Sequence, residues 1–260
     1  IEKAQESGLL KRFDPTGPYL EQLQRVVDIE PIKQARLKIV VDSMYGSGGG
    51  LFPRLLDGGN LELIEIHGEP NPAFPGIPQP EPIESNLGAL QAAVRETGSD
   101  AGVAFDGDAD RVGLVDENGD YISTLEGFSL LAHHLLDRRS QKGTVVSTIT
   151  MSSMVERLGR AYFVNTPRTA VGFKYVGPMM LETDAIIGGE ESGGYAFRGH
   201  VPERDGLLSA LFFLEAMVMS SKHPSELITD LFSVTGPHSY RRIDVEFPED
   251  PRPGLQSLIE

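Results

Sequence analysis

Short apolar runs alternate with stretches of helical period along this chain, and the alternation runs twice. A helix that covers a strand and returns the chain beside it makes successive strands run parallel, so the pattern restricts the fold to α/β layers. In the first series, Leu20, Leu23, Val26 and Val27 fall at helical spacing within residues 19–29. A strand follows at 37–41, a turn at 42–50, a helix at 51–56 and a strand at 61–66. Residues 68–82 are too rich in proline to be regular. A helix over 83–97 sets Leu87, Leu90, Ala93 and Val94 on one face, and strands at 100–105 and 112–115 end in a turn at 116–119. The second series reads helix 124–138, strand 144–148, helix 152–159, strand 161–164, helix 172–183, strand 185–187, helix 205–221 and helix 224–232. Asp205 is a natural N-cap, and a last strand is expected at 240–247. The expected fold class is α/β, with two consecutive α/β/α layered domains, mixed and mostly parallel sheets, and a boundary near 122–125.

Between the strands at 100–105 and 112–115 lie Asp106, Asp108 and Asp110, spaced by small residues and followed by Arg111. Three carboxylates this close repel one another unless a cation sits among them. Oxygen-only donors select a hard ion such as Mg²⁺. Arg111 adds a planar fork of donors that suits a phosphate oxygen. A divalent cation beside an arginine reads as a phosphoryl-transfer site. A solvated acidic turn is the bland alternative, but three acids, an arginine and two flanking strands exceed what a turn requires. An EF-hand loop needs glycine at its sixth position, where this chain has Arg111, and Val112–Val115 occupies its later ligand positions. A phosphatase with Asp106 as nucleophile and Asp108 as acid needs its aspartates after the first strand, and these come far later.

A net charge of −15 leaves no basic stripe for a nucleic-acid backbone. No apolar run is long enough to cross a membrane. Cysteine is absent, which excludes disulfides and thiolate metal sites and suits a reducing, cytoplasmic setting. The chain opens on Ile1 and closes on a segment rich in proline and charge, and reads as part of a longer protein. At 260 residues two ordinary domains fit.

A second loop, Gly188–Tyr195, follows a strand and offers Glu190 and Ser192, an acceptor and a donor–acceptor fit to grip vicinal hydroxyls. Lys174 stands in the first turn of a helix after a glycine, a position that suits a phosphate. Arg198, His200 and Arg204 form a basic cluster just after the Glu190 loop, with His200 read as a surface or capped residue. Gly46–Gly50 lacks the ending of a phosphate loop and reads as turn glycines. Ser152 and Ser153 read as helix caps, and His133 and His134 as packing or surface residues.

Together these segments resemble the α-D-phosphohexomutases, the family of phosphoglucomutase and phosphomannomutase. Asp106–Arg111 looks like that family's metal-binding loop, Gly189–Gly193 like its sugar-binding loop, and Thr169–Lys174 like a segment that holds substrate. Asn71–Phe74, Pro80–Pro82 and Asn86–Leu87 share the family's look, and the resemblance spans about residues 10–245. Members have four domains; residues 1–122 resemble the second, 123–236 the third, and 237–260 a linker and the start of the fourth. The segments carrying the phosphoserine and the phosphate loop have no counterpart in this sequence. The resemblance implies a hexose phosphate substrate, glucose or mannose, interconverted between its 1- and 6-phosphates through a phosphoserine and a bisphosphate. It implies Mg²⁺ held by Asp106, Asp108 and Asp110, a phosphate steadied by Arg111, hydroxyls held by Glu190 and Ser192, and Lys174 as a catalytic charge on the substrate phosphate. The first and fourth domains of the same chain are the implied partners, and this chain alone is expected to be inactive. The competing expectation is a non-catalytic relative that keeps the sugar and metal loops for sensing or scaffolding.

Overall fold

The computed structural model describes residues 1–241 and 243. Helices α1 (Glu2–Glu6), α2 (Thr16–Val26) and α3 (Glu30–Gln34) lead into β1 (Lys38–Asp42), α4 (Leu51–Leu56), β2 (Glu62–Ile66) and α5 (Gly88–Thr97). Strands β3 (Ala101–Phe105), β4 (Val112–Val115) and β5 (Tyr121–Ile122) complete a sheet ordered β2-β1-β3-β4-β5. The second series runs α6 (Thr124–Asp137), β6 (Val145–Thr148), α7 (Met154–Tyr162), β7 (Arg168–Thr169), α8 (Phe173–Thr183), β8 (Ile187–Gly189) and β9 (Tyr195–Phe197). Its sheet is ordered β7-β6-β8-β9, and α9 (Gly206–Ser220) and α10 (Pro224–Thr235) follow.

Both sheets are built to one plan. Strand β1 pairs parallel with β2 and β3, and β6 pairs parallel with β7 and β8, because helical crossovers join them. Each sheet then gains an antiparallel hairpin, β3–β4 in the first and β8–β9 in the second. The tips of these two hairpins are the acidic loop and the Glu190 loop.

Helix α9 explains how the two sheets share an interior. It is buried at every position from Gly206 to Met217, as a helix apolar on all sides must be. It packs on β3 and β4 of one sheet, on β9 of the other, and on α3, α6 and α10. One apolar core therefore runs from Ile39, Phe105 and Leu114 to Val145, Ile187 and Phe197. Leu211→Ala, in the middle of α9 and wholly buried, is expected to cost about 3 kcal/mol in urea unfolding.

Several expectations need correction. The strand placed at 161–164 is the end of α7, which closes at Phe163 in the left-handed conformation (φ 56°). Tyr162 and Val164 pack on the core while Phe163 is 93% exposed. That alternation belongs to a helix end, and the strand is the two residues of β7. The helix expected over 83–97 splits into a 3₁₀ turn, Glu84–Asn86, and α5. The helix expected over 19–29 starts earlier, at Thr16, and stops at Val26 with Val27 extended, and α3 begins only at Glu30. The strand expected at 185–187 starts at Ile187. Most of the strand expected at 240–247 lies outside the described residues. Asp205 does cap α9, accepting from the Leu208 amide at 2.8 Å. Among the described residues no helix is long and apolar enough to cross a membrane.

Candidate active site

The acidic loop is the tip of the β3–β4 hairpin, whose last pair is Phe105 opposite Val112. Its backbone is fixed on several sides. Asp106 Oδ1 accepts the Arg111 amide at 3.0 Å, and the Asp106 carbonyl accepts the Ala109 amide at 3.1 Å. Ala109 takes a left-handed φ of 61°. The Gly107 carbonyl accepts from the Ser47 amide at 3.0 Å, and the Ala109 carbonyl from the Gly206 amide at 3.0 Å. Gly46 has to be glycine, since a Cβ there would lie 2.6 Å from the Gly107 carbonyl oxygen. The glycine turn at 46–50 is thus a buttress for the acidic loop.

This framing brings carboxylate oxygens of Asp106, Asp108 and Asp110 within 4.8 Å of one another. Burial, reinforced by Asp110 and Asp108 and only partly offset by the Arg111 amide, pushes the Asp106 carboxyl up to about 7. Burial raises Asp110 as well, against the pull of Arg204. Asp110 Oδ1 is buried and accepts no hydrogen bond from any described residue. Close, partly desolvated and incompletely satisfied oxygens fit a hard divalent cation. Arg111 offers its fork alongside, with Nε 3.2 Å from Asp106 Oδ2 and Nη1 3.1 Å from Glu81 Oε1.

The second loop closes the β8–β9 hairpin, with Gly189 opposite Tyr195. Glu190 is buried, and its Oε1 accepts the Gly172 amide at 2.9 Å. Ser192 Oγ is buried and has no hydrogen-bond partner among the described residues. The Glu191 carbonyl accepts from Thr124 Oγ1 at 2.6 Å, which ties the loop to the start of α6.

The two loops are joined directly. The Val112 amide donates to the Gly193 carbonyl at 3.0 Å, and Arg111 forms an antiparallel bridge with Gly194. Arg111, Glu190 and Ser192 line one cleft of about 920 Å³, with Glu81, Thr124 and Arg241 among its other walls. Asp108 and Asp110 open onto a smaller hollow of about 280 Å³, shared with Tyr19, Ser47, Arg204 and Asp205. Lys174 stands apart from both. It is exposed in the first turn of α8, its Nζ 5.1 Å from the Tyr175 ring, although Val171 nearby does line the large cleft. The Gly172 amide just before that helix is already taken by Glu190.

The basic cluster read from the sequence does not converge. Arg198 pairs with Asp184, at 3.1 Å, and His200 turns inward to Asp205 at 3.0 Å. Arg204 alone reaches the site, 2.8 Å from Asp110 Oδ2 and 3.6 Å from Glu190 Oε2, and so spans the two loops. Gly194 leaves the room for it, because a Cβ there would fall 2.2 Å from Arg204 Cδ. The sequence signal for Arg204 is the basic cluster itself, in which nothing local separates it from Arg198. Ser152 Oγ accepts the Met154 amide at 3.2 Å, as a cap does, whereas Ser153 bonds His238.

The chain is similar to known proteins in sequence and fold. Residues 17–119 match the family model described as phosphoglucomutase/phosphomannomutase, alpha/beta/alpha domain II, and residues 125–234 match that of domain III. A phosphoglucomutase/phosphomannomutase of Thermococcus kodakarensis is 37% identical over 229 residues, covering 88% of this chain and 50% of the relative. A phosphoglucosamine mutase of an Arthrobacter species is 31% identical over 243 residues, covering 88% of this chain and 53% of the relative. The crystal structure of a phosphoglucomutase/phosphomannomutase family protein from Burkholderia thailandensis superimposes with a TM-score of 0.75 at 28% identity, over 85% of this chain and 47% of that one. The chain spans about half the length of these relatives. Two hairpin loops stitched together at one cleft, on sheets that match the second and third domains in order, make this chain a member of the phosphoglucomutase/phosphomannomutase family.

Proposed function

We propose that this chain supplies the cation-binding and hydroxyl-binding parts of a phosphohexomutase that interconverts hexose 1- and 6-phosphates. The observation that carries this reading is the stitch between Val112 and Gly193, which sets Arg111 beside Glu190 and Ser192 on one cleft. In the proposed assignment Asp106, Asp108 and Asp110 hold Mg²⁺, which when bound would neutralise charge on a phosphoryl group. Arg111, already oriented by Asp106 and Glu81, presents two directional donors to a phosphate. Glu190 accepts from sugar hydroxyls, and the unpartnered Ser192 Oγ donates or accepts beside it. Lys174 is assigned to the substrate phosphate; its exposed side chain has to swing across Val171 to reach the cleft.

Phosphoryl transfer depends on positioning and charge neutralisation more than on acid–base chemistry, which suits a site of one arginine, a carboxylate trio and hydroxyl-binding groups. The phosphoserine nucleophile is assigned to a part of the protein outside this chain, and the location to the cytoplasm. The sugar is a hexose of the glucose, mannose or glucosamine type, since relatives carry both kinds of mutase name. The 260-residue chain alone, given Mg²⁺, glucose 1-phosphate or glucosamine 1-phosphate and the matching bisphosphate primer, is expected to form no 6-phosphate in a coupled assay. Clear turnover would place the nucleophile within these residues and overturn the assignment.

A further inference from the structure

Two residues at the start of α9, Arg204 and Gly206, hold the acidic loop from outside its own hairpin. Arg204 Nη2 meets Asp110 Oδ2 at 2.8 Å. The Gly206 amide donates to the carbonyl of Ala109, the one left-handed residue of the loop. Gly206 has no space for a side chain, since a Cβ would lie 2.5 Å from the Arg111 carbonyl oxygen and 2.8 Å from that of Ala109. Asp205 stands between these two contacts.

Asp205 does more than cap a helix. One acceptor position takes the Leu208 amide, which is all a cap requires. Its carboxylate also accepts from the Tyr19 hydroxyl, at 2.9 Å and 3.0 Å from its two oxygens, and lies 3.0 Å from His200 Nε2. Tyr19 belongs to α2, 186 residues earlier in the chain. Burial and then the Asp205 charge hold the phenol far above its ordinary pKa, so it stays a donor. A second tie from α2, Gln22 Nε2 to the Gly199 carbonyl at 2.8 Å, holds the chain just after β9, upstream of residues 204–206. Tyr19 and Asp205 also wall the hollow onto which Asp108 and Asp110 open.

We propose that Tyr19 and Asp205 are positioning residues for the cation site: the Tyr19 hydroxyl anchors Asp205, and the anchored 204–206 segment sets the shape of residues 108–110. The inference rests on the reading that Asp106, Asp108 and Asp110 hold a divalent cation. Groups that orient metal ligands from behind change affinity by about tenfold or more when removed, without touching the ion.

The test uses the 260-residue chain and Mn²⁺ as probe, with free Mn²⁺ counted by electron paramagnetic resonance and thermal unfolding measured in parallel. Tyr19→Phe removes one hydroxyl, and Asp205→Asn keeps a capping acceptor while losing the charge. Asp230→Asn is the control, since Asp230 pairs with Lys222 and Arg138 away from the site. Tyr19→Phe and Asp205→Asn are expected to weaken Mn²⁺ binding about tenfold at temperatures where both remain folded. Asp230→Asn is expected to lower stability at wild-type affinity. Wild-type affinity in Tyr19→Phe, whatever its stability, overturns the inference and leaves the cation site standing. A wild-type chain that binds no Mn²⁺ overturns the cation reading itself, and this inference with it.

Discussion

Asp106→Asn is expected to weaken Mg²⁺ binding on the order of a hundredfold. Asp106 is the buried member of the trio and the one whose backbone and side chain both shape the loop, through the amides of Ala109 and Arg111. Isothermal titration of the 260-residue chain would measure the loss. The wild-type protein should also carry a pH signature. With the Asp106 carboxyl pushed up to about 7 in the metal-free state, Mg²⁺ has to displace a proton below that pH. Affinity should therefore hold above pH 7 and fall by about tenfold per unit below it, with proton release visible as a dependence of the heat on buffer. The stability of the metal-free chain follows from the same shift. The folded-state value lies above the ordinary 3.8, so the contribution of Asp106 is fully present below about 4 and is lost as pH rises through about 7. Added Mg²⁺ should raise the melting temperature more at pH 8 than at pH 6. Equal gains at the two values would contradict a protonated Asp106 at the lower one.

The second large effect is expected at the stitch between the loops. Gly193 sits at φ +91°, and a Cβ there would stand 2.8 Å from the Val112 carbonyl oxygen, which is backbone and cannot move aside cheaply. Gly193→Ala should cost about 3 kcal/mol, combining the unfavourable φ with the clash. It should also abolish binding of a hexose phosphate, because Arg111 and Glu190 would no longer share one frame. Gly58→Ala provides the contrast. Its φ is +83°, but its nearest neighbour to a Cβ is Lys33 Nζ at 4.0 Å. It should lose only about 1 kcal/mol, with ligand binding intact. Urea unfolding of both variants separates strain from collision, and an equal loss in the two would remove the special role given to the Val112–Gly193 contact.

What could be read from the sequence was local. Asp106, Asp108, Asp110 and Arg111 lie within one hairpin tip, and Glu190 with Ser192 within another, so spacing alone brought each group together. The long apolar helices were equally plain, α9 above all. Arg204 and Tyr19 were not legible in the same way. Arg204 works by spanning Asp110 and Glu190, and Tyr19 by reaching Asp205 across 186 residues, distances at which no periodicity operates. The nominated Lys174 shows the converse, since a good local position at a helix start left its side chain exposed and the neighbouring amide spent on Glu190. The short strands β5, β7 and β9 were missed because two or three residues carry no readable alternation. Strand β7 was further masked by Tyr162 and Val164, apolar residues that serve the end of α7.

Helix α9 has a consequence for anyone who would dissect or transplant this chain. Because its oily girth is wrapped by β3 and β4 on one flank and β9 on another, a cut between the two sheets would leave each half with a wet wound where the shared rod had lain. The pair is thus the smallest transferable cassette, and a chimera that swaps one sheet must swap the matching flank of that rod as well.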